Sequence, residues 1–321
     1  MVASSAILRS AIEDCCAIDH VPHLGPDTYK NANPVWHPPG ARGIYGGVAI
    51  AQCLNAAYAT VPSDFAVHSM HCHFHLSGNS DVPVVYTVER VRDGRNFMSR
   101  SVRALQGSSC FFQTTVSFQK VSTIPNSTVL MHAIQLPAGV TPPAAAKADS
   151  IDANKFEEPF ETVICGYAPE PSPETRKQCQ WIRAHGIISG CPPTDRGAKG
   201  DIPKLQHDMQ RNNQQAHICA LAYISDSDFL NTVSRVYRLA QYSTDEYVRG
   251  ICAKFQGSES DRLRMETWLQ GRARDEATMN NEADRAEGPR VHERLGMLVS
   301  LNHTIFFHNH QHFRADEWLF S

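Results

Sequence analysis

Residues 44 to 60, IYGGVAIAQCLNAAYAT, open on a glycine pair and continue almost without charge. Such a run is too apolar for a surface helix and too short to cross a membrane. It predicts a buried core helix that stops at Val61-Pro62. The period then changes from helical to two. VHSMHCHFHL (67 to 76) alternates strictly, with His71, His73 and His75 on one face and Cys72, Phe74 and Leu76 on the other. VPVVYTVERVRD (82 to 93) is β-branched and ends at the turn dipeptide Asp93-Gly94, while NFMSRSVRALQ (96 to 106) and SSCFFQTTVSFQK (108 to 120) complete a meander around Gly107. One buried helix followed by long antiparallel strands predicts an α+β layer, a sheet wrapped over a helix.

Residues 121 to 156 change character. Proline, alanine and serine dominate (LPAGVTPPAAAKADS), as in a linker. The coarse order then starts again: PFETVICGY and RKQCQWIRAHG read as strands, DSDFLNTVSRVYRLAQY as a helix starting near Asp226, and MLVSLNHTIFFH (297 to 308) as a strand. Two copies of one fold are inferred, with an N-terminal domain over 1–122, a linker over 123–156 and a C-terminal domain over 157–321. Within the latter, residues 241 to 295 are densely charged, with helix-favouring stretches (QGSESDRLRMETWLQGRARDEATMNNEADRAEGPR). They are read as a solvated, partly helical insertion, with a lid over a groove as the alternative.

With 321 residues, 42% hydrophobic and 20% charged, the chain is globular, and its net charge of −3 gives no reason to expect a nucleic-acid partner. MVASSAILRSAIEDCCAIDH has no basic region followed by an apolar stretch, so it is read as a short capped helix and not a signal peptide. No eighteen-residue apolar run predicts a membrane span. The ten cysteines form no CxxC pair, which argues against a zinc ribbon and for reduced, intracellular thiols.

Two histidine runs invite a metal reading. HxHxH at 71 to 75, and again at His308, His310 and His312, puts three imidazoles on one strand face. Neither run has a cysteine or carboxylate at a typical ligand spacing, so both are read as polar strand faces and no metal is assigned. A GxSxG elbow, an HExxH pair, a GxGxxG turn and a P-loop are all absent from the sequence.

Seven strings in order resemble the acyl-CoA thioesterase II family. They are YGGVAIAQCLNAAYATVP, HSMHCHFH before a Gly-Asn turn, DGRNFMSRSVRALQ leading to VSFQ, WIRAHG, LAYISDSDFL, MLVSLNHTIFFH and HFRADEWL. The resemblance implies a double hotdog, two helix-wrapped antiparallel sheets in one chain. It also implies hydrolysis of acyl-CoA to a free acid and CoA without metal or bound cofactor.

The family's water-holding carboxylate falls on Asp226, expected at the N-terminal end of the second hotdog helix. A plain N-cap is the alternative for Asp226, with Asp228 competing for the same cap. The hydroxyl falls on Ser300. Where the family reads Asp-His-Ser, this chain has Asn302-His303-Thr304; Asn302 and His303 are carried as substrate-binding candidates with Gly46, Gly47 and His71. The family's glutamine lies on a strand beyond the HFRADEWL-like segment. Gln311 occupies a different motif position, so the resemblance implies a C-terminal hotdog lacking its last strands. Residual activity, an acyl-binding role without turnover, and action on a carrier-protein thioester all follow as readings. A metal hydrolase is the most remote. Homo-oligomerisation is left open, and the expected location is the cytosol, with a peroxisomal address open if a C-terminal signal has been lost.

Overall fold

The structure is a computed structural model describing residues 9–37, 43–121, 136–137, 139–143, 158–165, 179–189, 202–227, 229–230, 232–233, 245–256, 258–271, 273, 298–308 and 313–320. A short helix α1 (Ala11–Cys16) leads through β1 (Ile18–His20) and β2 (Thr28–Asn31) into the apolar helix α2 (Gly46–Tyr58). Four long strands follow: β3 (Phe65–Phe74), β4 (Val85–Asp93), β5 (Phe97–Gln106) and β6 (Ser109–Lys120). All pairings are antiparallel, and the expected helix and meander are present within a few residues of their predicted ends.

Eleven of the thirteen residues of α2 are buried, and the inward faces of the strands (Met70, Cys72, Tyr86, Val102, Phe112, Val116, Phe118) close over it. The absence of charge in α2 is thus a consequence of burial on all sides. Its two amides are spent inside. Gln52 donates to the Cys15 carbonyl at 2.7 Å and Asn55 to the Cys16 carbonyl at 3.0 Å, while the Tyr86 hydroxyl donates to Gln52. These bonds satisfy the last carbonyls of α1, which a helix cannot pair internally. At its other end α1 departs from expectation: Ser10 occupies the N-cap, but its buried hydroxyl makes no capping bond.

The second half contributes β7 (Phe160–Cys165), β8 (Cys179–Ala184), the long helix α3 (Ile202–Ile224), β9 (Asn302–Phe306) and β10 (Leu319–Phe320). Strands β7, β8 and β10 form a sheet of their own in the order β10-β8-β7. Strand β9 instead pairs with β3, at the end of a seven-stranded sheet ordered β1-β2-β4-β5-β6-β3-β9.

Helix α3 corrects the sequence reading, which put a helix from Asp226 onward. The helix ends at Ile224, two residues before Asp226. Within the segment read as helical, residues 229–230 and 232–233 are helical, and 234–244 lie outside the described residues. Its first turns (IPKLQHDMQRNNQQ) are polar in sequence and give no apolar period; towards its end Ile218, Cys219, Ala220, Ala222, Tyr223 and Ile224 are buried in the same core as α2.

Most of the expected linker lies outside the described residues, as do Asp228, His310, Gln311 and His312. In the charged segment, helix Asp245–Lys254 and the helical residues 259–271 share a separate small core of Val248, Cys252, Met265 and Leu269. Among the described residues no helix is long and apolar enough to cross a membrane.

Candidate active site

Asp226 sits in the turn that follows α3 and points at the start of a different helix. Its carboxylate accepts a hydrogen bond from the Gly47 backbone N–H, in the first turn of α2, and one from the Ser300 hydroxyl at 3.2 Å. This corrects the expected placement. Asp226 does not begin its own helix; it lies beyond the C-terminal end of α3 and against the N-terminal end of α2. The second end is the one whose free N–H groups and dipole favour an anion.

The glycine pair has a steric reason. A Cβ on Gly46 would run into the Asp226 Oδ2 atom and the Phe74 ring, and one on Gly47 into the Tyr223 carbonyl oxygen and the Tyr45 ring. Two hydrogen atoms in place of two methyl groups are what allow the end of α3 to seat on the start of α2. Tyr45, at the N-cap of α2, fastens the same junction: its hydroxyl donates to the Tyr223 carbonyl at 3.0 Å.

Burial pushes the Asp226 pKa up to about 6, and the two donors, Ser300 and Gly47, pull it back only in part. A carboxyl that titrates just below neutrality is poised to take and release a proton under cellular conditions. Removing one donor should raise the midpoint further. Ser300→Ala is expected to move the Asp226 titration above about 6, read directly from its side-chain ¹³C shift against pH. A midpoint that stays put would show that the Ser300 contact does not act on the charge.

Ser300 itself is not in a strand. The strand expected over 297–308 starts at Asn302, after a bend at Leu301, whose side chain is 71% exposed. That bend breaks the two-residue alternation. Ser300 and His303, which a continuous strand would place on opposite faces, both reach the end of α3: Ser300 bonds Asp226, and His303 Nε2 lies 3.0 Å from Ser225 Oγ.

The remaining candidates divide. Gly46, Gly47 and His303 are brought together around Asp226 and Ser300. His71 and Asn302 are exposed on the outer face of the sheet, where the neighbouring pair His71 and Thr304 come within 3.4 Å through Nδ1 and Oγ1. On the inner face, Cys72 pairs in register with His303. Among the described residues no group of three or more His, Cys, Asp or Glu side chains could hold a metal ion. Sequence reasoning passed over Ser225 and Tyr45. Ser225 abuts Asp226 in YISD, yet nothing in the string says that its hydroxyl meets a strand some eighty residues on.

Two family profiles match the chain: the acyl-CoA thioesterase N-terminal domain over residues 33–119 and the acyl-CoA thioesterase C-terminal domain over residues 205–321. The chain belongs to the acyl-CoA thioesterase family. Among curated relatives, mouse acyl-coenzyme A thioesterase 8 is 31% identical over 235 residues, which cover 65% of this chain and 63% of the relative. Acyl-CoA thioesterase 2 of Haemophilus influenzae is 41% identical over 80 residues, 25% of this chain and 28% of that protein. The acyl-CoA thioesterase II TesB2 structure from Mycobacterium marinum superposes with a TM-score of 0.53 at 24% identity, covering 97% of this chain and 82% of that one. The fold of this family member is accordingly an α+β hotdog arrangement, as expected. The chain spans a little under two thirds of the length of the mouse relative.

Proposed function

We propose that the protein hydrolyses acyl-CoA thioesters to a free acid and CoA, with Asp226 as general base and Ser300 as its water-positioning partner. The observation that carries this reading is the Asp226 carboxyl held between the Gly47 N–H and the Ser300 O–H, with its pKa raised to about 6. Ser300 donates a hydrogen bond to Asp226 Oδ1 and keeps lone pairs that can accept a hydrogen bond from a water molecule. Asp226 Oδ2, beside Gly46, is then the atom that takes the water's other proton as the water oxygen attacks the thioester carbonyl carbon. The tetrahedral intermediate collapses by breaking the C–S bond, and the proton held by Asp226 passes to the departing thiolate. N–H groups in the first turn of α2 that no other group occupies would stabilise the developing oxyanion.

Family membership supports acyl-CoA as the substrate class, and the cytosol is proposed as the place of action. We further propose an N-terminal hotdog domain ahead of the linker and a C-terminal one after it.

The test is CoA release from short, medium and long acyl-CoAs beside the same acyl groups on a carrier protein, followed by chromatography. Turnover of the CoA series is expected, rising with pH through about 6 as Asp226 ionises. Turnover confined to the carrier-bound series would reassign the substrate, and none in either would end the hydrolase reading.

A further inference from the structure

The hydrogen bond between His303 and Ser225 is a second link between the two chain segments that build the site. Asp226 and Ser225 are neighbours on the turn after α3; Ser300 and His303 are three residues apart at the entrance to β9. Ser300 bonds Asp226 at 3.2 Å, and His303 bonds Ser225 at 3.0 Å.

Proton counting fixes the direction of the second bond. The Ser225 hydroxyl has one proton, and it donates it to the Ala222 carbonyl at 2.8 Å, inside the last turn of α3. Towards His303 it can therefore only accept. The imidazole must carry its proton on Nε2, which leaves Nδ1 bare. The ring of Phe229 lies edge-on to the imidazole at 6.4 Å, and Cys72 is the register partner of His303 on β3. Among the described residues no carboxylate is hydrogen-bonded to it. Burial lowers its pKa, which keeps the ring neutral at physiological pH.

Ser300 needs such a brace. It precedes the regular strand, separated from the first ladder residue by the exposed bend at Leu301. The β3–β9 ladder holds Asn302 to Phe306 but not Ser300. Two bonds between the same two segments restrain both distance and rotation, where one bond leaves a hinge.

We propose that His303 is a positioning residue: its imidazole, locked in the Nε2–H tautomer by Ser225, braces the entrance of β9 against the turn after α3 and so holds Ser300 on Asp226. This role differs from substrate contact, and it rests on the reading of Asp226 and Ser300 given above.

Two NMR measurements test it without requiring turnover. The ¹⁵N shifts of His303 at neutral pH are expected to show a protonated Nε2 and an unprotonated Nδ1. The Asp226 side-chain ¹³C titration is expected to move to higher pH in His303→Ala, because the Ser300 donor drifts away. It should move equally in Ser225→Ala, which removes the same bond from the other side and keeps the ring. His303→Gln, whose amide N–H can donate to Ser225, is expected to restore the midpoint. In turnover, His303→Ala should lower kcat on the order of tenfold to a hundredfold, as a misplaced catalytic group does, with KM little changed. An unmoved Asp226 midpoint in both Ala variants, an Nδ1–H tautomer, or a raised KM with normal kcat would each overturn the proposal. If wild-type protein turns over no thioester, the hydrolase reading fails while the titrations still decide the brace.

Discussion

Asp226→Asn is expected to abolish hydrolysis and at the same time to stabilise the protein at neutral pH. Losing a general base typically costs on the order of 10²–10⁴ in rate. The stability gain comes from the same burial that raises the pKa. In the unfolded chain the carboxyl titrates near 3.8 and in the folded one near 6. The folded protein therefore holds a proton that the unfolded chain has released between those values. This contribution to stability is fully present below about 3.8 and is lost as pH rises to about 6. Above that, wild type carries a penalty on the order of 3 kcal/mol for the buried charge. Asparagine avoids it and can keep both bonds, accepting from the Gly47 N–H through Oδ1 and donating to Ser300 through Nδ2. Melting curves of the two proteins from pH 4 to pH 8 should diverge, with the variant increasingly the more stable. Parallel curves would mean that the carboxyl is not desolvated, and undiminished turnover would remove Asp226 from the mechanism.

Arg100→Met should be the most damaging change away from the site. Arg100 is fully buried, and its guanidinium is fully engaged. It donates to the Thr60 hydroxyl at 2.7 Å and carbonyl at 3.0 Å, just past the end of α2. It also reaches the Arg92 carbonyl at 3.1 Å, the Ser99 carbonyl at 2.9 Å and Asp93 at 2.6 Å. Strand β4 carries a register shift between Arg90 and Arg92 opposite this residue, so the side chain fills the irregularity and ties it to the helix. Methionine would fill much of the space and satisfy none of those acceptors. A loss of roughly 3–5 kcal/mol is expected, as when one partner of a buried polar network is removed. Chemical denaturation would measure it, and activity per folded molecule should be unchanged. A loss below about 1 kcal/mol would show that water replaces the guanidinium without cost.

The site itself shows how its parts depend on one another. Asp226 lies where two helices meet: it follows the end of α3 and faces the first turn of α2. Gly46 and Gly47 permit that meeting, Tyr45 fastens it, and the bend at Leu301 turns Ser300 inward. The outer sheet face, by contrast, carries His71, Thr304 and Phe306 as an aromatic and polar surface, with the ring of Phe306 edge-on to His71 at 5.7 Å. The HxHxH run that invited a metal reading belongs to that surface.

Local chemistry determined what was legible beforehand. The continuous apolar run of α2 and the two-residue alternation of β3 to β6 each carry their own burial pattern, because inward positions favour apolar residues whatever packs against them, with hydrogen-bonded exceptions such as Gln52 and Arg100. Asp226 and Ser300 could be singled out by family resemblance, being tied to short strings. Their geometry was not. Helix α3 begins in the polar sequence IPKLQHDMQRNNQQ, so no apolar periodicity marks its start. The helix dipole that faces Asp226 belongs to a segment about 180 residues earlier in the chain. The face on which Ser300 lies is set by one bend, and the sheet that β9 joins is set by the open edge of β3. Periodicity reports which side of an element is buried; which element buries it, and which charge meets which helix end, are relations between distant residues that only tertiary packing decides.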